Sequence, residues 1–346
     1  MDIIAKIKKA ELCGRGGANF PTDLKWQAVF DAIQKQPEHK SYIICNGAEG
    51  EPGVIKDEYL LKNYPETVIA GIKIALDFFK SKQAFIYLNK KYFNKYRSHL
   101  NKIIKQNNLP IVLFAETGGY LCGEETTLLE SLEGKKEEPR LRPPFPTTNG
   151  YLGFPTLINN VETFYCVAKI AKNEFKQTRL YSLTGAILKP GVYELPQNYT
   201  VEQVLTATKN LPKNDYFVQV GGGACGEFFD MQETQKATGG TIIVYDLKKT
   251  NLIKLMRQLV NFLYEENCGK CTPCREGMFR LRQLLYQPRL DLADLKPLLQ
   301  VMRNTSFCPL GKSVYLPIDS LINKIIYPYT NLNKTRIDTN NTLTKK

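Results

Sequence analysis

Four cysteines form the clearest chemical pattern in the chain. Cys268, Cys271 and Cys274 lie at CxxCxxC spacing, and Cys308 follows further along. Three thiolates at this spacing can bind three corners of a cubane iron–sulfur cluster, and a remote cysteine can supply the fourth ligand. Structural zinc sites more often pair two separated CxxC segments, and the residues between these thiols offer no apolar face for packing. The pattern favours a [4Fe–4S] cluster, with zinc as the alternative.

A glycine-rich segment near the start of the chain could approach a phosphate group. Gly14, Arg15, Gly16 and Gly17 precede Lys25 within GRGGANFPTDLKW. Glycines let backbone N–H groups point at an anion, and the two basic side chains add charge. The segment is not GxGxxG, so a plain turn remains an equal alternative.

A second glycine-rich segment does match GxGxxG. Gly221, Gly223 and Gly226 follow the apolar run YFVQV, and Asp246 stands further on. A dinucleotide fingerprint requires a helix directly after the glycines. The residues that follow are too few and too broken for that helix, so we predict a loop between strands.

Two acidic clusters are further candidates for chemistry. One is NGAEGEP at residues 46–52, and the other is CGEET at residues 122–126. Each ends a strand-like run or opens a helix-like run, where clefts form in open α/β sheets. Solvated turn carboxylates are the alternative interpretation of each.

The apolar periodicity predicts the elements that position these motifs. Up to about residue 175, helix-like and strand-like runs alternate, which predicts a mostly parallel sheet covered by helices. The predicted strands are 41–45, 84–88 and 111–115, and the predicted helices are 24–34, 66–80, 91–106 and 118–132. Five prolines in residues 134–156 predict a long surface loop.

The pattern changes after residue 180. A hairpin is predicted to turn at 189–191, a helix to begin at a capping box of Thr200 and Gln203, and strands to follow at 216–220 and 241–245. From Asn251 the pattern is helical, with a last helix near 313–326. The polar residues after 328 predict a disordered tail.

Composition restricts the class of protein. The chain has 346 residues, a formal net charge of +13 and nine cysteines. No run is long and apolar enough to span a membrane and no leader pattern is present, so we expect a cytoplasmic protein without direct membrane insertion. No nucleic-acid motif accompanies the positive charge, which suits an acidic protein partner better. Five further cysteines, at 13, 45, 122, 166 and 225, are expected to be ordinary buried residues.

Several long motifs, in order from about residue 11 to residue 325, resemble one known family. They are GRGGANFPTDLKW, NGAEGEPGVIKDEYLL, GGYLCGEETTLLESLEGK, PRLRPPFPTTNGYLGFPTLINNVETF and ENCGKCTPCREG. The chain resembles the NADH-binding flavoprotein subunits of respiratory complex I and of soluble NAD-linked hydrogenases and formate dehydrogenases. This resemblance implies the cofactors FMN and [4Fe–4S], with NADH as substrate.

The resemblance also implies a fold and a division into domains. The fold class is α/β: a Rossmann-like FMN- and NADH-binding domain (1–177), a small β-grasp-like α+β domain (178–249) and a C-terminal helical bundle that holds the cluster (250–327). The remaining residues, 328–346, form the predicted tail.

Site residues follow from matching the motifs. The implied FMN contacts are Gly14, Arg15, Gly16, Lys25, Asn46, Glu49, Tyr120, Gly123, Glu124, Glu125, Asn159 and Asn160. The implied NADH contacts are Phe20, Lys25, Glu51, Glu125 and Phe145, with Glu51 and Glu125 facing the nicotinamide and its ribose. Cys268, Cys271, Cys274 and Cys308 match the cluster ligands.

Three positions depart from the family pattern. Ala48 stands where a carboxylate near the flavin is usual, Asn19 replaces a glycine beside the nicotinamide path, and Ala28 replaces an aromatic residue. Ala48 and Asn19 motivate the hypothesis that the nucleotide site has been lost.

The resemblance implies an NADH dehydrogenase subunit without a catalytic base. Hydride passes from NADH to FMN when the two rings stack, and electrons then pass singly through the cluster to a partner iron–sulfur protein. The implied partners are a [2Fe–2S] thioredoxin-like subunit and a further iron–sulfur subunit in a hetero-oligomer peripheral to the inner membrane, with quinone as final acceptor in complex I. Two alternatives stay open: a soluble NAD(P)-linked hydrogenase, formate dehydrogenase or bifurcating complex, and a non-catalytic subunit that keeps the cluster.

Overall fold

The computed structural model describes residues 2–330 and 336–338. The chain divides into two compact units. The first is formed by residues up to Gly50 and by Ile55–Thr178. The second is formed by Glu51–Val54 and the residues from Arg179 onward. The division into the predicted domains 178–249 and 250–327 stays a prediction.

The first unit is built on a parallel sheet of four strands in the order β3-β2-β1-β4. The strands are β1 (Tyr42–Gly47), β2 (Ala84–Leu88), β3 (Ile111–Ala115) and β4 (Thr156–Asn160). Every residue of β2 is buried, as expected for a strand covered by helices on both faces. The sheet confirms the predicted α/β class. Strand β4 was not predicted, because TLINN is short and ends in polar residues.

Seven α-helices lie among the described residues of this unit. They are α1 (Ile3–Lys9), α2 (Thr22–Gln34), α3 (Lys56–Asn63), α4 (Pro65–Phe79), α5 (Lys90–Gln106), α6 (Glu125–Leu132) and α7 (Val161–Ala171). The periodicity correctly predicted α2, α4 and α5, whereas α1, α3 and α7 were missed. The predicted helix 118–132 is wrong at its start, since a short 3₁₀ turn (Tyr120–Gly123) precedes Glu124, which caps α6.

The proline-rich segment forms a long loop before β4, as predicted. Within it, Tyr151–Gly153 makes one 3₁₀ turn. Arg140 fixes the loop through ion pairs with Glu130 and Glu133, the latter at 2.8 Å. It also donates to the Gly150 carbonyl at 3.0 Å.

A second sheet has five strands in the order β6-β5-β9-β7-β8. They are β5 (Thr178–Gly185), β6 (Gly191–Pro196), β7 (Tyr216–Val220), β8 (Glu227–Asp230) and β9 (Thr241–Asp246). Helix α8 (Val201–Ala207) begins with the predicted capping box of Thr200 and Gln203. The GxGxxG segment is the loop between β7 and β8, which pair antiparallel, so the prediction of a loop is confirmed.

Helices dominate the remainder. They are α9 (Leu252–Glu265), α10 (Thr272–Leu285), α11 (Leu295–Thr305), α12 (Pro309–Ser313), α13 (Tyr315–Ser320) and α14 (Tyr327–Thr330), with a π-helical segment at Leu321–Ile326. The predicted last helix is therefore broken into shorter pieces. Strands β10 (Arg289–Asp291) and β11 (Arg336–Asp338) pair antiparallel. No helix of the described residues is long and apolar enough to cross a membrane.

The predicted disordered tail, 328–346, is wrong where the structure describes it. Residues 328–330 are helical, and 336–338 form a strand. Residues 331–335 and 339–346 lie outside the described part of the chain.

Candidate functional site

Two asparagines lie side by side at the carboxyl ends of β1 and β4. Asn46 and Asn160 are register partners in the parallel ladder. Asn46 donates from Nδ2 to the Gly123 carbonyl at 2.9 Å and accepts the Ala48 N–H at 3.1 Å. The carboxyl ends of parallel strands are where open α/β sheets bind ligands. The fold therefore brings Asn46, Gly123 and Asn160 together.

The first glycine-rich segment folds against this edge. A Cβ added to Gly16 would lie 3.4 Å from Asn160 Cβ, and Gly17, at φ +103°, has open space where its Cβ would stand. Arg15 is buried, and its N–H donates to Thr163 Oγ1 at 3.0 Å. Because Gly16 and Gly17 have no side chains, the backbone of this segment can come closer to a ligand at the strand ends than larger residues would permit.

The departure at Asn19 does not disturb this segment. Asn19 adopts φ +52°, a left-handed conformation that asparagine tolerates better than most residues. The backbone carbonyl of the next residue, Phe20, accepts the Gly14 N–H at 2.8 Å. Phe20 and Phe145 are 50% and 52% exposed, which leaves both rings available for stacking.

Lys25 and Arg142 share one carboxylate. Lys25 Nζ lies 3.1 Å from Glu125 Oε2 and 3.2 Å from the Ile158 carbonyl. Arg142 Nη1 lies 3.0 Å from the other oxygen, Glu125 Oε1. Arg142 belongs to the proline-rich loop and was not among the predicted site residues.

Glu124 has a structural role that its motif did not reveal. Its Oε2 accepts the backbone N–H groups and the hydroxyls of Thr126 and Thr127, at 2.6 to 3.1 Å, and so caps α6. Its Oε1 is buried without a hydrogen bond and lies 3.6 Å from Arg142 Nη2. One carboxylate oxygen is therefore committed to the helix, and the other faces a cation.

The ammonium group of Lys56 is buried next to Asn160 at the end of β4. Lys56 Nζ lies 2.6 Å from Asp57 Oδ1, 2.9 Å from Asn160 Oδ1 and 3.5 Å from Glu162 Oε2. Burial by itself would lower the pKa of Lys56, but the neighbouring carboxylates raise it above its ordinary value. Burial raises the pKa of Asp57, against the opposing effect of Lys56. The sequence did not predict this network, although Lys56 and Asp57 lie inside the motif NGAEGEPGVIKDEYLL.

Glu49 is held at the start of α3. Its carboxylate accepts the N–H groups of Asp57 at 2.9 Å and Glu58 at 3.3 Å, and the Tyr92 hydroxyl at 2.8 Å. Burial first, and then the Asp57 charge, raise the pKa of Glu49 to about 7. This carboxyl group therefore changes its protonation near neutral pH.

Two further predicted FMN contacts support the local fold. With its amide oriented to suit its neighbours, Asn159 accepts the indole N–H of buried Trp26 at 3.0 Å. Tyr120 packs against Gly50, where an added Cβ would lie 3.3 Å from its ring.

Glu51 lies in the second unit. Its Oε1 accepts the N–H groups of Ala224 at 2.7 Å and Cys225 at 3.0 Å. Glu51 is therefore held by the loop between β7 and β8.

Three of the four predicted cluster ligands lie at helix starts, and Cys268 lies in the loop between α9 and α10. Cys271 directly precedes α10, which contains Cys274, and Cys308 directly precedes α12. The Phe307 N–H points at Cys271 Sγ at 3.5 Å. Cys274 and Cys308 are buried, whereas Cys268 and Cys271 are half-buried.

The donor set fits an iron–sulfur cluster. Burial, followed by Cys271, Cys308 and Cys268, raises the pKa of Cys274 to about 12, so a cationic centre is needed to keep this sulfur as a thiolate. The hydroxyl of Ser306, two residues before Cys308, is buried and has no hydrogen-bond partner among the described residues. A buried hydroxyl of this kind fits a cluster whose sulfides can accept its hydrogen bond.

Two family models match the two parts of the chain that carry the candidate sites. Residues 7–169 match the family model of the Nuo51 FMN-binding domain, and residues 254–326 match that of the NADH-ubiquinone oxidoreductase-F iron–sulfur binding region. The F 2 subunit of NADH-quinone oxidoreductase in Rhizobium meliloti is 31% identical, over 90% of this chain and 83% of its own length. The F subunit of the same enzyme in Streptomyces coelicolor is 34% identical, over 92% of this chain and 80% of its own. The chain belongs to the family of NADH-quinone oxidoreductase F subunits.

Hydrogenase subunits are also similar to this F-family chain. The HoxS alpha subunit of the NAD-reducing hydrogenase of Cupriavidus necator is 33% identical, over 95% of this chain. A solved NAD⁺-reducing [NiFe]-hydrogenase in its H₂-reduced state is 34% identical, over 92% of this chain, with a TM-score of 0.83. The F-family chain spans 60% of the length of each of these two relatives.

Membership of the F family confirms several predictions. The resemblance, the α/β fold with a helical C-terminal region, and the cofactors FMN and [4Fe–4S] with NADH are confirmed. A hetero-oligomeric assembly is supported, because these relatives are subunits of larger complexes. The individual site residues stay predictions.

Proposed function

We propose that this F-family protein oxidises NADH and delivers the electrons to a partner iron–sulfur protein. FMN, when bound, accepts a hydride from NADH, and the [4Fe–4S] cluster carries the electrons away one at a time. The protein's contribution is to hold and orient the two ring systems, since hydride transfer between stacked rings needs no general base. The convergence of Asn46, Gly123 and Asn160 at the strand ends carries this proposal, with the glycine segment around Gly16 against them.

The charges around the strand ends suit a flavin phosphate and a reduced ring. Arg15 and Lys25 provide positive charge, and the ion pair with Glu125 fixes the direction of the Lys25 ammonium. Glu49, with its pKa near neutral, can hold a proton at its carboxyl group beside the flavin site. Glu49 therefore provides a carboxyl group at this site, although Ala48 has replaced the carboxylate that is usual next to it.

The residues assigned to NADH are either aromatic side chains with exposed rings or glutamates whose carboxylates are held in place. Phe20 and Phe145 offer half-exposed rings to the adenine. Glu51 and Glu125 face the nicotinamide and its ribose in this assignment. Cys268, Cys271, Cys274 and Cys308 would hold the cluster, which would supply one-electron transfer towards a thioredoxin-like [2Fe–2S] subunit and a further iron–sulfur subunit.

The test is reduction of bound flavin by NADH. Protein reconstituted anaerobically with FMN, iron and sulfide should show a flavin absorbance band that bleaches when NADH is added. Phe20→Ala should weaken NADH binding about tenfold, by loss of one aromatic stack. Leu24→Ala is the matched control, since Leu24 is a comparably exposed apolar side chain on the same segment. A bound flavin that NADH does not bleach would leave the non-catalytic alternative.

A second candidate assembly is an NAD-linked hydrogenase, favoured by the similarity to the HoxS alpha subunit and to the solved hydrogenase. The native complex distinguishes the two. Quinone reduction by NADH supports a complex I assignment, whereas reduction of NAD⁺ by H₂ supports the hydrogenase.

A further inference from the structure

Three consecutive backbone N–H groups point at the segment Glu51–Val54. They belong to the loop of residues 222–225, which we name the glycine loop and which lies between β7 and β8. Gly223 donates to the Pro52 carbonyl at 2.7 Å. Ala224 and Cys225 both donate to Glu51 Oε1, at 2.7 and 3.0 Å. The glycine loop therefore binds a carboxylate of its own chain.

The loop approaches the Glu51 side chain so closely that a Cβ at position 222 would displace it. A Cβ on Gly222 would lie 2.3 Å from Glu51 Cγ and 2.4 Å from Oε1. Gly221, just before the loop, has a similar backbone, with φ +108° against +117° for Gly222. A Cβ on Gly221 would come no closer than 3.4 Å to any atom of the part of the chain that the structure describes. The two glycines share one backbone constraint but differ in contact with Glu51.

Two N–H groups on one carboxylate oxygen fix its position and its direction together. Such charge-assisted bonds are shorter and stronger than neutral ones, and successive N–H groups form a concave anion site. The loop is itself held, since Cys225 Sγ lies 3.1 Å from Ser313 Oγ at the end of α12. A flexible glutamate side chain is thereby restricted to one arrangement.

We propose that the glycine loop is a positioning element that sets the Glu51 carboxylate for NADH. This inference rests on the proposed function, in which Glu51 contacts the nicotinamide ribose. The loop acts through Glu51 and does not itself touch the nucleotide. Its GxGxxG pattern serves the chain's own carboxylate in place of a dinucleotide phosphate.

The test compares Gly222→Ala, Gly221→Ala and Glu51→Gln in protein loaded with FMN and cluster. Steady-state NADH oxidation with an artificial one-electron acceptor gives KM and kcat. Gly222→Ala and Glu51→Gln should each raise KM for NADH by about tenfold to a hundredfold, as expected for a misplaced contact, with a smaller change in kcat. Gly221→Ala, which introduces the same backbone strain, should change KM by less than about threefold. The double variant Gly222→Ala/Glu51→Gln should be no worse than the stronger single variant.

Equal effects of Gly221→Ala and Gly222→Ala would overturn the proposal, as would multiplicative effects of Gly222→Ala and Glu51→Gln. If Gly222→Ala lacks flavin or cluster, Glu51→Asp replaces it, because the shorter side chain withdraws from both N–H groups. A raised KM in Glu51→Asp supports positioning, and an unchanged KM overturns it. Wild-type protein that binds FMN but does not oxidise NADH would refute the proposed function, a result distinct from failure of the loop variants alone.

Discussion

Gly71→Ala tests the helix packing that supports the candidate site at the strand ends. Gly71 lies in α4 against α7, where an added Cβ would stand 2.0 Å from the Phe164 carbonyl oxygen and 2.6 Å from its carbon. Both are backbone atoms, so no rotamer change relieves the overlap, and the helices must separate by roughly 1 Å or more. Helix α7 begins directly after Asn160, which caps it. Movement of α7 therefore moves an amide of the candidate site.

The expected cost follows from two opposing effects. Overpacking a core costs about 1–3 kcal/mol, and a backbone-to-backbone overlap belongs at the upper end of that range or beyond it. Alanine in a helix interior is more favourable than glycine by about 1 kcal/mol. The net expectation is a loss of about 2 kcal/mol in the free energy of unfolding.

Urea unfolding followed by tryptophan emission measures this loss in the correct part of the molecule. Trp26 is the single tryptophan of the chain, is fully buried, and lies with its ring centroid 5.2 Å from that of Phe79 in α4. Ala70→Gly, at the preceding position of the helix, calibrates the propensity difference. If Gly71→Ala unfolds at the same or a higher urea concentration than wild type, close approach of the helices does not govern stability here, and the reasoning is refuted.

Three further predictions concern charge and metal. Glu49 binds a proton more tightly when folded, with a pKa of about 7 against 4.5, so its stabilising contribution is present at low pH and is lost as the pH rises towards 7. As the pH rises from 5 to 7.5, the free energy of unfolding of Glu49→Gln should therefore increase by about 1–3 kcal/mol relative to that of wild type. Parallel plots of unfolding free energy against pH for the two proteins would contradict this. Lys56→Met should cost about 3–5 kcal/mol in urea unfolding by leaving buried carboxylates uncompensated, and adding Asp57→Asn should recover part of that cost. Cys274→Ala should abolish the iron–sulfur signal in electron paramagnetic resonance while flavin bleaching by NADH persists, and full iron and sulfide content in the variant would refute the ligand assignment.

Apolar periodicity was enough to predict the framework of the first unit. AFIYL is an apolar run because β2 is buried along its whole length, whereas IVLFA forms the edge strand β3, of which only Ile111 is buried. Helix α5 alternates buried and basic positions in helical register. Strand β4 and helix α3 escaped prediction because both are short and half polar. Their identity depends on partners distant in sequence: β4 pairs with β1, and α3 packs against α7.

Motifs indicated which residues gather at the candidate site, but not how they interact. The Lys56–Asp57–Glu162 network forms only when segments about a hundred residues apart meet, so spacing within one segment could not reveal it. A lysine next to an aspartate inside a glycine- and acid-rich motif was the available signal. Arg142 was hidden in the same way, because the proline-rich loop brings it to Glu125 only in the folded chain.

Several residues with a proposed binding role also have a structural role, and this determines which substitutions can separate the two. Glu124 caps α6, Asn160 caps α7, and Asn159 accepts the Trp26 indole N–H, so a substitution at any of them weakens the fold together with any cofactor contact. Loss of flavin from such a variant would therefore not show that the substituted residue contacts the flavin. Phe20 is different, because its half-exposed ring can be removed at little cost to the core. Nucleotide recognition is best tested there, whereas the strand-end amides need a stability measurement beside every measurement of flavin content.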